Sequence, residues 1–223
     1  MASRFRDRSD AGQQLATKLA AYANRPDVLV LALPRGGVPV AFEVAKALNA
    51  PLDIFLVRTL GMPGHKELAM GAIAPGGVVV RNEEVLRMLP LPQQAIDALV
   101  AKEQRELERH ERLYHSARPA CDVCNKIVIL VDDGLASGTT LRAAAAALRQ
   151  RQPERIVVAV PTAAPEACDE FRATVDEVVC AFTPDPFDAA GSWYDDVAPT
   201  TEDEVRNLLE LAARRHAGVA RGA

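Results

Sequence analysis

The chain has 223 residues, of which 49% are hydrophobic and 25% charged, and its formal net charge is -4 at pH 7. This composition is ordinary for a globular protein with a sizeable core, and the basic residues form no stripe for binding nucleic acid. No apolar run is long enough to span a membrane, and residues 1–10 are charged rather than signal-like. We therefore expect a cytoplasmic protein that has neither nucleic-acid nor membrane partners.

Hydrophobic patterns predict helices and strands that alternate along the chain. Leu15, Leu19 and Tyr22 recur at helical spacing and predict a helix over residues 9–23, capped by Ser9 or Asp10. Five apolar runs predict strands at residues 28–33, 52–58, 127–131, 155–161 and 175–181. Further helices are predicted at residues 40–48, 93–114, 141–151, 164–171 and 202–215. This alternation predicts an α/β fold, with a doubly wound, mostly parallel five-stranded sheet and flanking helices.

A polar, glycine-rich stretch at residues 59–67 follows the second predicted strand. Two short apolar segments, residues 68–74 and 78–80, flank Gly76 and Gly77 and predict a hairpin. Because the polar stretch has little apolar surface to bury, we expect a flexible hairpin lid. The alternative is a solvated hairpin with ordinary surface charges.

The first strand is followed at once by Pro34, Arg35, Gly36 and Gly37, and then by a helix. A glycine loop between a strand and a helix presents backbone N–H groups to an anion, and an arginine adds a fork of donors. Most glycine pairs merely turn the chain, so an anion-binding role for this loop depends on a second anion site beside it.

The central sequence motif is the stretch from Lys126 to Leu141, K-I-V-I-L-V-D-D-G-L-A-S-G-T-T-L. Asp132 and Asp133 end an apolar strand, at the sheet edge where ligands of parallel sheets bind. The following small and hydroxyl-bearing residues enter a helix and form a receptor for phosphate. Because two acids would repel that phosphate, we expect them to face a sugar diol of the same ligand, a ribose 5-phosphate group. The alternative is an ordinary turn with capping residues and incidental acids.

Residues 131–140, V-D-D-G-L-A-S-G-T-T, resemble the signature of the type I phosphoribosyltransferases. The resemblance implies transfer of the phosphoribosyl group from phosphoribosyl diphosphate to a nitrogenous base, with release of pyrophosphate and with Mg²⁺ as cofactor. It also implies a single domain over residues 1–223, with a core at about 25–181 and a small C-terminal hood at about 182–216.

The resemblance also assigns roles to individual residues. Catalytic roles fall to Asp132, Asp133, Arg58 and Lys66, and the metal ligands are the same two aspartates. The 5-phosphate loop comprises Gly134, Leu135, Ala136, Ser137, Gly138, Thr139 and Thr140. The pyrophosphate loop, which in the family often contains a non-proline cis peptide, comprises Arg35, Gly36 and Gly37. Lid and hood contacts to substrate fall to Glu67, Phe182, Trp193, Tyr194 and Asp195.

Several alternatives stay open at this stage. Ala136 stands where relatives of hypoxanthine-guanine phosphoribosyltransferase have an aspartate, which disfavours 6-oxopurines and leaves orotate, uracil, adenine or an unusual acceptor. Trp193 serves either as a base contact or as a structural anchor. The chain is either an enzyme, a ligand-sensing regulator or a partner of another enzyme, and a homodimer is one open assembly state. Cys121 and Cys124 read as reduced loop thiols rather than half a zinc site, and Cys168 and Cys180 as small packing residues.

Overall fold

The computed structural model describes residues 4–62, 65–88, 91–114, 120–136 and 138–220, with only the backbone described for 65–68, 84 and 217–220. The helices are α1 Arg8–Lys18, α2 Gly37–Leu48, α3 Glu83–Met88, α4 Gln93–Tyr114, α5 Thr139–Arg149, α6 Pro165–Arg172 and α7 Glu202–Ala220. The strands are β1 Val28–Ala32, β2 Leu52–Ile54, β3 Arg58–Met62, β4 His65–Ala74, β5 Val78–Arg81, β6 Ile127–Val131, β7 Arg155–Thr162 and β8 Glu177–Phe182. Two short 3-10 helices cover Ala20–Tyr22 and Ala190–Trp193.

The main sheet has five parallel strands in the order β2-β1-β6-β7-β8, which confirms the predicted fold class. Every residue of β1 and β6 is buried, as expected for strands covered on both faces. Alternate side chains of β1 point to opposite faces: Val28 and Val30 join the core beneath α1, α2 and α7, whereas Leu29 joins the core beneath α5 and α6.

The strand predicted over residues 52–58 is confirmed for Leu52–Ile54, but its extension to residue 58 is wrong, because the chain leaves the main sheet after Ile54. Arg58 instead begins β3, which pairs with β4 and β5 in a separate antiparallel sheet. The hairpin predicted around Gly76 is confirmed by the pairing of β4 with β5, but much of the predicted loop is strand. Leu60 and Met62 are buried at alternate positions of β3, as in a strand with one face against the core. In the sequence, the glycines around them conceal this alternation.

Smaller differences concern helix ends. Asp7 caps α1 by accepting a hydrogen bond from the backbone N–H of Asp10 at 2.8 Å, so the predicted Ser9 or Asp10 cap is wrong. Helix α3 was not predicted, and the side chain of Asn82 accepts from the Val85 N–H at its start. The bounds of α4 match the prediction. Within the ranges described, no helix has the length and apolar character required to cross a membrane.

Helix α1 packs closely on α2 at Gly12. A methyl group on Gly12 would lie 2.6 Å from the carbonyl oxygen of Val40 and 2.9 Å from Cβ of Glu43. Backbone is the near neighbour, so it cannot rotate away as a side chain would. The position therefore accepts only glycine without separating the two helices.

We expect Gly12→Ala to lower the free energy of unfolding by about 1–3 kcal/mol, because the added methyl group overpacks the contact between α1 and α2. Urea denaturation followed by circular dichroism measures this change. Lys18→Ala, at an exposed position of the same helix, serves as the control and should stay within about 0.5 kcal/mol of the wild type. Equal stability of the Gly12 variant and the control would show that the contact between α1 and α2 has room for a methyl group.

Candidate active site

The two acids lie directly against the glycine loop that follows the neighbouring strand. Strands β1 and β6 are paired, so the segments after them meet at one edge of the sheet. A side chain on Gly36 would overlap Oδ2 of Asp133, and one on Gly37 would lie 2.8 Å from the Val131 carbonyl and 2.9 Å from Cα of Asp132. The glycines are thus required by the close approach of the acids. The peptide bond between Pro34 and Arg35 is cis.

Asp133 is held by an arginine that lies 125 residues away in the sequence. Arg8, at the start of α1, donates from Nε and Nη2 to Oδ2 of Asp133 at 2.9 and 2.8 Å. Its Nη1 donates to the carbonyl of Ala198 at 2.8 Å. The sequence analysis missed Arg8, because no local motif marks an arginine whose partner is this distant.

The chain ends form one unit above the acids, which we call the clasp and define as residues 5–8 together with 190–198. Phe5 donates its N–H to the Trp193 carbonyl and accepts from the N–H of Asp195, both at 2.9 Å. The hydroxyl of Tyr194 donates to the backbone carbonyl of Asp133 at 2.5 Å, and its ring lies 5.5 Å from that of Phe5. The clasp therefore holds Asp133 through both its carboxylate and its backbone.

The predicted hood residues have different surroundings in the structure. Tyr194 is buried in the clasp, and burial raises the pKa of its hydroxyl, so it is a neutral donor there. The ring of Trp193 meets that of Phe182 edge-on at a centroid distance of 5.3 Å. Its Nε1 is buried and, within the described part of the chain, has no hydrogen-bond partner. Asp195 is exposed.

The predicted 5-phosphate loop runs between β6 and α5. Gly134 packs under Ala190 of the clasp, and buried Leu135 donates its N–H to the Thr162 carbonyl at 2.8 Å. Ala136 is exposed, and Ser137 lies outside the described residues. Gly138 has a φ of +64° and rests on the ring of Phe171, so a side chain there would clash.

Helix α5 begins at Thr139, and no side chain caps its N-terminus in the described residues. The first backbone N–H groups of an α-helix have no partners within the helix, and such an N-terminus favours binding of a phosphate dianion. Thr140 lies in the first turn of the helix and lines an adjacent cavity.

This cavity has a volume of about 330 Å³ and lies beside the loop after β1. Its polar lining comprises Arg35, Arg58, His110, Tyr114, Thr140 and Glu202. Arg35 is exposed, and among the described residues no hydrogen bond or ion pair holds its guanidinium group. Arg58 is held by Glu103 of α4, through Nε at 2.9 Å and Nη2 at 2.7 Å. The side chains of Lys66 and Glu67 lie outside the described part.

The acid pair shares its negative charge. Burial and the adjacent carboxylate of Asp133 raise the pKa of Asp132 to about 8, so a proton stays on the pair near neutral pH. Oδ1 of Asp132 accepts from the N–H of Asp133 at 2.9 Å. The described residues contain no cluster of three acidic, histidine or cysteine side chains. Two carboxylates alone suit a Mg²⁺ ion that takes its remaining ligands from substrate oxygens and water.

A family model described as the phosphoribosyl transferase domain matches residues 6–188. The chain belongs to the phosphoribosyl transferase family. Two Mycobacterium tuberculosis proteins, from strains H37Rv and CDC 1551 and both provisionally named phosphoribosyl transferases, are 44% identical to it over 210 residues. The match covers 94% of this chain and 47% of each relative, so the chain spans about half the length of these curated relatives.

A crystal structure of the same fold is that of TT1426 from Thermus thermophilus. It is 40% identical to this chain, superposes with a TM-score of 0.82, and the match covers 92% of this chain and 97% of the other. The family and fold together support a transferase role for the chain.

We expect Arg8→Gln to lower the free energy of unfolding by about 1–2 kcal/mol, because it leaves the partly buried Asp133 carboxylate without its counter-ion. The Arg8 and Asp133 side chains are 17% and 29% exposed, so solvent screens part of the interaction. Urea denaturation of the single variants and of Arg8→Gln/Asp133→Asn measures the coupling.

The matched control is Arg6→Gln, because Arg6 forms an ion pair with Asp10 but is 76% exposed. It should change stability by less than about 0.5 kcal/mol. A coupling energy near zero between Arg8 and Asp133 would mean that the ion pair does not hold the acid in solution.

Proposed function

We propose that the chain transfers the phosphoribosyl group of phosphoribosyl diphosphate to a nitrogenous base and releases pyrophosphate. The observation that carries the proposal is the contact of Gly36 and Gly37 with the two acids. Two loops of anion-binding character meet there, one on each side of a carboxylate pair. A ligand that has a phosphate at one end, a diphosphate at the other and a sugar diol between them matches this order.

The acids would bind the ribose hydroxyls. Arg8 donates two hydrogen bonds to Oδ2 of Asp133 and none to Oδ1. This oxygen can therefore accept a hydrogen bond from a ribose hydroxyl while the carboxylate stays in place. As the bond between the anomeric carbon and the diphosphate breaks, positive charge grows on the ribose ring. The fixed negative charge of the pair stabilises it.

The two loops would bind the two ends of the ligand. Backbone N–H groups at the start of α5, with Gly138, Thr139 and Thr140, suit the 5-phosphate. The diphosphate would lie at Gly36 and Gly37, with the unpaired guanidinium group of Arg35 in the adjoining cavity. In this scheme Arg58, which Glu103 holds in place, lines that cavity. Lys66 and Glu67 belong to the lid that closes over it.

Magnesium fits this scheme as the cofactor. Asp132 and Asp133 would hold it together with oxygens of the substrate, and the bound ion would offset the charge that develops on the leaving pyrophosphate.

The acceptor would enter beside the hood. Phe182 and Trp193 offer aromatic surface there, and the buried indole N–H of Trp193 lacks a partner that a polar ring atom could supply. Tyr194 serves the clasp in this scheme, and Asp195 is an exposed polar group of the hood. Ala136 supplies no carboxylate toward a 6-oxopurine, so orotate, uracil and adenine are the acceptors to examine first.

We expect Asp133→Asn to lower turnover at least about 100-fold, because the amide removes the charge that stabilises the transition state. Release of pyrophosphate in the presence of Mg²⁺ and phosphoribosyl diphosphate is the measurement. Asp97→Asn, an exposed acid on α4, is the matched control and should keep full activity. Full activity of the Asp133 variant would contradict the proposed role of the pair.

A panel of orotate, uracil, adenine, guanine and hypoxanthine identifies the acceptor in the same assay. One base should release pyrophosphate well above the rate without base. Binding of phosphoribosyl diphosphate, measured by calorimetry, accompanies the panel. Tight binding without turnover on any base would contradict the enzymatic proposal and favour a ligand sensor.

A further inference from the structure

Two cysteines far from the acids lie in direct contact with each other. Cys168 is in α6 and Cys180 in β8, and their sulfur atoms are 2.7 Å apart. Both belong to the apolar core on the α5 and α6 face of the main sheet. Cys168 is 3% exposed, whereas Cys180 is partly exposed, so small solutes have access to one side of the pair.

We propose that Cys168 and Cys180 form a reversible dithiol and disulfide site that peroxide oxidises. A disulfide bond is about 2.05 Å long, so the sulfurs need to approach by less than about 1 Å. One hydrogen peroxide suffices for the reaction. The two S–H bonds and the O–O bond break, one S–S bond forms, and the protons and electrons of the thiols leave in two water molecules.

The two thiols differ in pKa and in exposure. The hydrogen bond from the Cys180 thiol lowers the pKa of Cys168, and the nearby guanidinium group of Arg172 acts in the same direction. Cys168 is thus the sulfur that more readily becomes a thiolate, whereas Cys180 is the more exposed of the two. A sulfenic acid formed on either sulfur meets the other sulfur at contact distance, and their condensation expels water.

The two cysteines join α6 and β8, which lie next to the predicted phosphate loop and the clasp respectively. Phe171, in the same helix as Cys168, lies under Gly138 of the predicted phosphate loop. Cys180 is two residues from Phe182, which meets Trp193 of the clasp. A covalent bond between α6 and β8 would fix the phosphate loop relative to the hood. Only this consequence depends on the proposed transferase function; the thiol chemistry does not.

Peptide mapping tests the proposal on the full chain. The native protein is treated with hydrogen peroxide, quenched in acid, alkylated and digested with trypsin. Cleavage after Arg155, Arg172 and Arg206 places Cys168 in residues 156–172 and Cys180 in residues 173–206. Cys121 and Cys124 fall together in residues 113–126, because Arg118 precedes a proline. A bond of the proposed pair therefore links two peptides, whereas a bond between Cys121 and Cys124 stays within one.

We expect peroxide to yield the linked peptides in wild type and in Cys121→Ser/Cys124→Ser, and dithiothreitol to separate them again. Cys168→Ser and Cys180→Ala should yield none. Circular dichroism of the untreated variants checks that they fold. If the folded wild type keeps both thiols free, or oxidises them to sulfinic and sulfonic acids without the linked peptides, the proposal is overturned.

Binding of phosphoribosyl diphosphate to the reduced and oxidised protein then tests the consequence separately. A change in affinity of at least about threefold that dithiothreitol reverses, and that Cys180→Ala lacks, would establish control of the ligand site. Linked peptides with unchanged affinity would establish the thiol site and overturn its coupling to the ligand site.

Discussion

The carboxylate of Asp133 is the point on which the arrangement of the site depends. It lies against the backbone of Gly36, accepts two hydrogen bonds from Arg8, and its backbone carbonyl accepts the hydroxyl of Tyr194. A partly buried carboxylate is costly without such partners. Three segments that are distant in sequence are therefore held together by the requirement to satisfy one side chain. Asp133 is consequently part of both the fold and the candidate site.

The parallel sheet explains why the two anion-binding loops meet. Loops at the carboxyl ends of paired parallel strands share one edge, and β1 pairs with β6 although nearly a hundred residues separate them. The absence of side chains at Gly36 and Gly37 lets the two loops touch. Helix α4 and the β3-β4-β5 sheet add the walls of the cavity, in which Glu103 holds Arg58 in place.

The parts of the structure that local patterns determine could be predicted from the sequence. The uninterrupted apolar runs of β1 and β6 required no distant information. Residues 52–58 misled the prediction because Phe55, Leu56 and Val57 continue the apolar run of β2 although they belong to neither β2 nor β3. Arg8 and the bond of Tyr194 to the Asp133 backbone could not be found, because an ion pair across 125 residues and a bond from a hydroxyl to a backbone carbonyl leave no local pattern.

Two buried polar groups at the junction of β7 and the hood lack hydrogen-bond partners among the described residues. These are the hydroxyl of Thr162 and the indole N–H of Trp193. Each such group costs about 1–3 kcal/mol, which offsets part of the stability that the surrounding apolar contacts supply. A polar ring that accepted from the indole would remove part of this cost. Because Thr162 pairs with Phe182 across β7 and β8, the cost arises next to the strand that carries Cys180. A bond between Cys168 and Cys180 would therefore restrain the strand beside these unpartnered groups.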